Sequence, residues 1–147
     1  MQIYPSHSEQ DTVAIAANFA KSLIPGSVVA LFGGLGMGKT AFVRGLAMGF
    51  GLDPEQVCSP TFSLVNEYSE PGKTTLHHFD MYRVTGQEAL LTTGFYDSLD
   101  SGGVLAVEWS ENIAHALPGG AINVTISRGI SENEREIAIS CGKGLKS

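Results

Sequence analysis

Short runs of apolar residues recur along the chain and predict the strands of a buried sheet. Two such runs cover residues 27–32 and 104–109, and most of their positions are hydrophobic. A continuous apolar run of this length is typical of a parallel strand that is covered on both faces. Residues 121–128 and 135–140 alternate instead between apolar and polar positions, so they predict a closing antiparallel hairpin.

A second hairpin is predicted around the turn at Pro71-Gly72. Pro60 favours extended geometry in Ser59, the residue before it. After Pro60 the segment from Val57 to Tyr68 becomes strand-like. Residues 74–79 then return as the partner strand. The adjacent pair His77-His78 makes a poor metal chelate, since neighbouring residues of a strand point to opposite faces, and both are interpreted as structural.

Helical spacing of apolar residues predicts four helices. They cover residues 8–22, 41–48, 87–91 and 110–117. Ser8 is the expected N-cap of the first helix, with Asp11 at the capping-box position. For Ser8 to Thr12 a plain cap is favoured from spacing alone over a wall of a nucleotide-base site.

Residues 33–40 fit the phosphate-loop pattern G-x-x-x-x-G-K-[ST], between a predicted strand and a predicted helix. Gly33, Gly36 and Gly38 let backbone N–H groups turn inward, and with the helix N-terminus these groups form an anion site. Lys39 is expected to reach the β- and γ-phosphates, and the Thr40 hydroxyl to bind Mg²⁺. A chance glycine-rich turn is the alternative, which the flanking elements disfavour.

Three further positions are candidates for the chemistry of such a site. Glu108 ends a buried strand, as the acid of a Walker B element does, and is predicted to bind Mg²⁺ with Thr40. Asp80 ends another strand and is placed to orient the attacking water, although a turn cap paired with Arg83 is equally supported. Residues 59–62 resemble a switch loop no more than an ordinary Ser/Pro loop. Trp109 is either a core residue or an exposed contact.

Composition narrows the class of protein further. The chain has 147 residues, which is the size of one domain, so a single domain is predicted over residues 1–147. Its net charge is −6. A protein that binds nucleic acid directly is normally basic, so any role in RNA metabolism is expected to act through a protein partner. Cys58 and Cys141 form no metal or disulfide motif, and no signal peptide or membrane span is visible. These features predict a cytoplasmic protein without membrane contact.

Four motifs in order resemble the TsaE family, also called YjeE. They are Leu-Gly-x-Gly-Lys-Thr with Phe42, Arg44 and Gly45, then Ser59-Pro60-Thr61-Phe62 with Leu64-Val65-x-x-Tyr68, then His78-x-Asp80-x-Tyr82-Arg83, and Val107-Glu108-Trp109-Ser110-Glu111. Family members usually have a small residue where Met37 stands and often an acid where Gly34 stands. Both departures fall at loop positions that do not require glycine, so they predict tuning rather than loss.

The resemblance implies a fold, an activity and partners. The fold is α/β, a three-layer P-loop domain with a mainly parallel central sheet extended by antiparallel hairpins. The activity is Mg²⁺-dependent ATP hydrolysis that helps form threonylcarbamoyladenosine at position 37 of tRNAs. The implied partner is the TsaD–TsaB complex, which uses the carbamoyl-adenylate made by TsaC. The protein is expected to contact tRNA only through that complex. The protein itself is expected to be a monomer or weakly self-associating.

The resemblance also implies roles for particular residues. Thr40 and Glu108 become Mg²⁺ ligands, and residues 59–62 become a switch. Either Asp80 or Thr61 organises the attacking water or senses the γ-phosphate. Asp80 and Trp109 become functional positions. The nucleotide site then comprises Gly33, Gly36, Met37, Gly38, Lys39, Thr40, Ala41, Ser8, Thr12 and Trp109, with Lys39, Asp80, Thr61 and Glu108 catalytic.

Two other function classes stay open from the residues alone. A small-molecule kinase also carries a phosphate loop, but this chain has only four arginines and no lid segment in its pattern. A nucleotide-gated binding switch needs no productive hydrolysis. No arginine finger is evident, which predicts slow intrinsic turnover that a partner raises.

Overall fold

A seven-stranded β-sheet forms the centre of this computed structural model, with helices on both of its faces. The structure describes residues 1–34, 36, 38–60 and 64–140. The strands are β1 (Gln2–Ser6), β2 (Val28–Phe32), β3 (Val65–Tyr68), β4 (Leu76–Asp80), β5 (Val104–Glu108), β6 (Ile122–Arg128) and β7 (Arg135–Ser140). The helices are α1 (Glu9–Ala20), α2 (Lys39–Gly49), α3 (Gln87–Leu91) and α4 (Phe95–Leu99), with short 3-10 helices at Pro54–Gln56 and Ser110–Ala116.

The four central strands run parallel, and both edges of the sheet are antiparallel. The strand order is β1-β7-β6-β2-β5-β4-β3. Strand β2 pairs in parallel with β5 and β6, and β4 pairs in parallel with β5. The pairs β3–β4 and β6–β7 are the two predicted hairpins. The α/β class with a parallel centre and antiparallel extensions is therefore confirmed.

Side chains of the central strands divide between two cores, one on each face of the sheet. On one face Val29 and Leu31 of β2 pack under α1 and α2, together with Phe42. On the other face Leu105 and Val107 of β5 pack with the α3, α4 and 3-10 layer. Strand β5 is buried along its whole length, as its apolar run predicts for a strand covered on both faces.

Helices α1 and α2 approach each other closely because α2 carries glycine at their contact. A β-carbon added at Gly45 would lie 2.4 Å from both the Ala16 β-carbon and the Val13 carbonyl oxygen. At Gly49 it would lie 2.5 Å from the Ala20 β-carbon. This packing fixes the start of α1 beside the start of α2, where the predicted phosphate loop ends.

Three parts of the fold differ from the sequence-based expectation, and one of them is helix α4, which is not among the four predicted helices. The sequence does not predict β1, because the strand includes Pro5 and has no run of buried apolar residues. Most residues of β1 are exposed. Proline is tolerated there because β1 is an edge strand. The helix predicted at residues 110–117 is a 3-10 helix, in which Ile113 departs from helical geometry with its side chain fully buried.

Within the described ranges, no helix is both long and apolar enough to cross a lipid bilayer.

Candidate functional site

A cavity of about 730 Å³ lies where the parallel strands β2, β4 and β5 end. Open α/β sheets bind their ligands at this carboxyl edge. The cavity is lined by His7, Ser8, Glu9, Thr12, Gly36, Gly38, Lys39, Thr40, Ala41, Arg44, Ser59, Pro60, Asp80, Glu108, Trp109, Asn133 and Arg135.

Three glycines shape the loop that leads from β2 into α2. Gly33, Gly36 and Gly38 have φ angles of +143°, +75° and +99°, which side-chain-bearing residues rarely adopt. Helix α2 begins at Lys39, and its first turn has no acidic residue. The loop and the helix N-terminus therefore offer backbone N–H groups and the positive end of the helix dipole to an anion. Leu35 and Met37 lie outside the described residues.

Lys39 is buried, with 5% of its surface exposed, and its ammonium group has two partners. Its Nζ donates to the Gly33 carbonyl oxygen at 2.8 Å. The same Nζ lies 4.3 Å from the centroid of the Trp109 ring, within the range of a cation–π interaction. Trp109 is thus neither a simple core residue nor a fully exposed one. Its own φ is +57°, and its ring centroid lies 4.9 Å from that of Tyr82.

The hydroxyl predicted to bind Mg²⁺ contacts the segment predicted to be a switch. Thr40 Oγ1 and Ser59 Oγ are 2.8 Å apart and form a hydrogen bond. Ser59 and Pro60 both line the cavity. Thr61 and Phe62, which complete the predicted switch, lie outside the described residues.

The two predicted carboxylates end neighbouring strands at the same level. Asp80 of β4 is paired in register with Glu108 of β5. Asp80 Oδ1 accepts a hydrogen bond from the Tyr82 backbone N–H at 2.9 Å, so Asp80 caps a turn and lines the cavity as well. The described structure contains no ion pair between Asp80 and Arg83.

Glu108 is almost completely buried and contacts a histidine. Only 5% of the residue is exposed, and its Oε2 lies 2.5 Å from His78 Nε2. His78 is fully buried on β4. The sequence does not identify His78 as a site residue, because no local pattern indicates that its side chain contacts an acid thirty positions later.

The oxygen groups at this end of the cavity suit Mg²⁺. The Thr40 hydroxyl and the Glu108 carboxylate are hard oxygen donors, with Asp80 and Ser59 nearby on the same lining. Among the described residues there is no cluster of three or more His, Cys, Asp or Glu side chains that would bind a metal alone. Such a sparse set fits Mg²⁺ bound by one or two protein groups and nucleotide phosphates.

The start of α1 also lines the cavity. Ser8 caps this helix by accepting from the Asp11 backbone N–H at 3.1 Å. Asp11 Oδ2 accepts in turn from the His7 backbone N–H at 2.9 Å, so its donor is the residue before the N-cap and not the N-cap residue itself. Thr12 is buried, and its hydroxyl lies 2.7 Å from the Ser6 hydroxyl. Ser8 therefore acts as a cap and also lines the cavity.

Two arginines at the cavity were not singled out from the sequence. Arg44 of α2 forms an ion pair with Glu9 of α1 at 2.9 Å. Arg135 Nη2 lies 3.4 Å from the Gly36 carbonyl oxygen, although the two residues are 99 positions apart. Only the pairing of β6 with β2 and of β7 with β6 brings Arg135 to the phosphate loop. The cavity lining thus includes the cations Arg44 and Arg135 as well as the carboxylates where the strands end.

Comparison with known proteins matches nearly the whole chain. A family model described as threonylcarbamoyl adenosine biosynthesis protein TsaE matches residues 6–137. The tRNA threonylcarbamoyladenosine biosynthesis protein TsaE of Treponema pallidum is 38% identical over 135 residues, covering 92% of this chain and 97% of the relative. The protein of the same name from Bacillus subtilis is 37% identical over 131 residues, covering 89% and 80%. The crystal structure of Bacillus subtilis YdiB is similar with a TM-score of 0.77 and 30% identity, covering 96% of this chain and 85% of that chain.

Proposed function

Because the chain belongs to the TsaE family of threonylcarbamoyl adenosine biosynthesis proteins, we propose that it is a slow, Mg²⁺-dependent ATPase that supports this modification at adenosine 37 of tRNAs. The observation that carries the proposal is one cavity lined by Lys39, Thr40, Asp80 and Glu108. A phosphate-loop lysine and hydroxyl next to two strand-end carboxylates are the parts that phosphoryl transfer to water needs.

The proposed roles follow the chemistry of each group. The backbone N–H groups around Gly36 and Gly38 bind the phosphates of ATP or ADP, and Lys39 neutralises the charge of the β- and γ-phosphates. Thr40 and Glu108 would hold the Mg²⁺, which would supply stabilisation of the negative charge on the phosphates. Ser8, Thr12, Ala41 and the Trp109 ring are assigned to the nucleotide as cavity wall.

The attacking water needs an oriented acceptor, and Asp80 is the described residue that best suits this role. Asp80 lines the cavity at the level of Glu108, and its Oδ1 is fixed by the Tyr82 N–H, so its carboxylate has a defined direction. The alternative assignment to Thr61 belongs to a residue outside the described structure. With either residue we propose slow intrinsic turnover, which a partner protein raises.

The proposed partner is a protein complex, TsaD–TsaB, and tRNA is contacted only through it. The net charge of −6 supports this, because a surface that binds RNA directly normally has an excess of Lys and Arg. The proposed setting is the cytoplasm.

An ATPase assay on the purified protein tests the proposal. We expect slow phosphate release that requires Mg²⁺ and rises when TsaD and TsaB are added. Glu108→Ala should retain some ADP binding in EDTA and lose the Mg²⁺-dependent turnover. Equal rates with and without the TsaD–TsaB pair would refute the partner-stimulated mechanism, and full Mg²⁺-dependent activity in Glu108→Ala would remove the Walker B assignment.

A nucleotide-gated switch is the second candidate, favoured by the 2.8 Å hydrogen bond between Thr40 and Ser59. This bond links the proposed Mg²⁺ ligand to the segment that a γ-phosphate would order. If the switch alone matters, a non-hydrolysable ATP analogue supports tRNA modification as well as ATP does.

A further inference from the structure

The mechanism proposed above does not use the buried contact between His78 and Glu108. His78 Nε2 and Glu108 Oε2 are 2.5 Å apart, and the exposed fractions of their side chains are 0% and 7%. Among the described residues, the hydrogen bonds of the Glu108 carboxylate go to His78 alone. The contact comes directly from the sheet, since β4 and β5 are parallel neighbours with His78 paired to Ala106, two residues before Glu108.

The direction of this hydrogen bond follows from the groups involved. A carboxylate that is to bind a metal is ionised and only accepts hydrogen bonds. The proton between the two side chains therefore belongs to His78 Nε2, which donates. In a neutral imidazole the other nitrogen, Nδ1, is then an acceptor.

Nδ1 of His78 is the buried side-chain polar atom that has no partner in the described structure. Burying a polar atom without a partner costs free energy, so an apolar residue would serve better if position 78 only filled the core. The ring packs near Tyr68, whose centroid is 6.4 Å away, and that contact requires no nitrogen. The polar contact that the imidazole makes is with Glu108.

We propose that His78 is a positioning residue for Glu108, and this rests on the proposed Mg²⁺ role of Glu108. The Nε2–H of His78 binds Oε2 and fixes the carboxylate orientation, which leaves Oε1 for the metal bound with the nucleotide. Hydrogen bonds from a second layer of residues orient metal ligands in this way, and their loss typically reduces metal affinity or activity about 10- to 100-fold.

The neighbouring histidine provides a matched control. His77 lies on the same strand but on the opposite face, where its ring nitrogens approach the Ser98 and Ser101 hydroxyls at 3.4 Å and 3.2 Å. It touches none of the proposed nucleotide or metal groups. The same substitution at positions 77 and 78 therefore separates loss of an imidazole from loss of the contact with Glu108.

The test is the factor by which Mg²⁺ tightens ADP binding, measured by titration calorimetry with Mg²⁺ and with EDTA. His78→Met should reduce this factor about 10- to 100-fold, because methionine fills similar space without a donor. His78→Gln retains an N–H at similar reach and should restore the factor to within about threefold of the unaltered protein. His77→Met should leave it unchanged.

The outcomes distinguish this proposal from the proposed function. If Mg²⁺ tightens ADP binding in the unaltered protein and equally in His78→Met, the positioning role is wrong and the ATPase proposal stands. If Mg²⁺ has no effect on the unaltered protein, both are wrong. A failure of His78→Gln to recover the factor also overturns the role of the donor.

A measurement on the unaltered protein remains decisive if His78→Met does not fold. Long-range ¹H–¹⁵N NMR spectra identify which ring nitrogen carries the hydrogen. The proposal requires the Nε2–H tautomer of His78, and an Nδ1–H tautomer would overturn it.

Discussion

The two walls of the cavity are built in different ways. The strand-end wall consists of Asp80, Glu108 and Trp109, which directly follow or end buried parallel strands. The helix wall consists of Ser8, Glu9 and Thr12 of the α1 start, together with Arg44 of α2. Glu108 is almost fully buried, whereas the side chains of Arg44 and Glu9 are 37% and 66% exposed.

The difference in burial indicates that the two walls have different roles. Burial strengthens the electrostatic effect of a charge, so the strand-end wall and Lys39 are suited to act on phosphates and metal. The helix wall has solvated charges, and its position depends on how closely α1 packs on α2. We therefore expect substitutions on the first wall to change the rate of hydrolysis and those on the second to change stability and nucleotide affinity.

Lys39→Ala should have the largest effect. It removes the cation that is proposed to face the phosphates, and the loss of one such group typically costs about 100- to 1,000-fold in turnover. ATPase rates and ADP affinity measured by calorimetry provide the check. Glu9→Gln is the control from the helix wall and should retain most of the rate. Equal losses in the two variants would contradict the distinction between the buried charge of Lys39 and the solvated charges of the helix wall.

Gly45→Ala should destabilise the protein and affect the helix wall selectively. The added β-carbon meets the Ala16 β-carbon and the Val13 carbonyl at 2.4 Å, and neither can rotate away. Overpacking of this kind costs about 1–3 kcal/mol, which exceeds the roughly 1 kcal/mol that alanine gains over glycine as a helix former. Thermal unfolding should show a lower midpoint, and the KM for ATP should rise more than kcat falls.

Gly119→Ala is the matched control for that substitution, because no heavy atom lies within 4 Å of an added β-carbon there. It should leave the unfolding midpoint and the KM nearly unchanged. A Gly45→Ala protein as stable as Gly119→Ala would show that α1 and α2 separate without cost.

The ion pair between Arg44 and Glu9 should contribute little to stability. Both side chains are substantially exposed, and pairs of this kind contribute about 0.2–1 kcal/mol, less at high salt. A double-mutant cycle with Arg44→Gln and Glu9→Gln, followed by denaturant unfolding at low and high salt, measures this coupling. A coupling well above that range would mean that the helix wall is fixed by charge rather than by packing.

His77 lies outside both walls and should give the smallest effect, confined to acidic pH. Burial lowers the pKa of His77 below its usual value near 6.5, and the Glu67 carboxylate opposes this only in part. The unfolded chain therefore binds a proton more readily than the folded one, so stability is complete above pH 6.5 and decreases as the pH falls below it. Denaturant unfolding across this range should show a weaker pH dependence for His77→Gln than for the unaltered protein.

The strand-end wall and the glycine-rich loop could be predicted from sequence because their residues are local to recognisable patterns. Glu108 ends an apolar run, which predicts a strand and its carboxyl end. Lys39 and Thr40 end a glycine-rich loop, which predicts the turn from a strand into a helix. The alternation that separates His77 from His78 was also predictable, and the structure confirms that the two side chains lie on opposite faces.

The rest of the cavity depends on contacts between distant parts of the chain. Arg135 reaches Gly36 only because β7 pairs with β6 and β6 with β2. The His78–Glu108 contact depends on β4 and β5 being neighbours. A strand order is decided by the packing of the whole domain, so no local pattern indicates these pairs.

The ammonium group of Lys39 has a thermodynamic consequence for nucleotide binding. It already has the Gly33 carbonyl and the Trp109 ring as partners, so a phosphate that binds Lys39 exchanges one set of contacts for another. A measured affinity for ADP is then a difference between two bound states of the same cation, and it understates the strength of the lysine–phosphate contact. If the nucleotide binds as proposed, Trp109 therefore competes with it for the positive charge of Lys39.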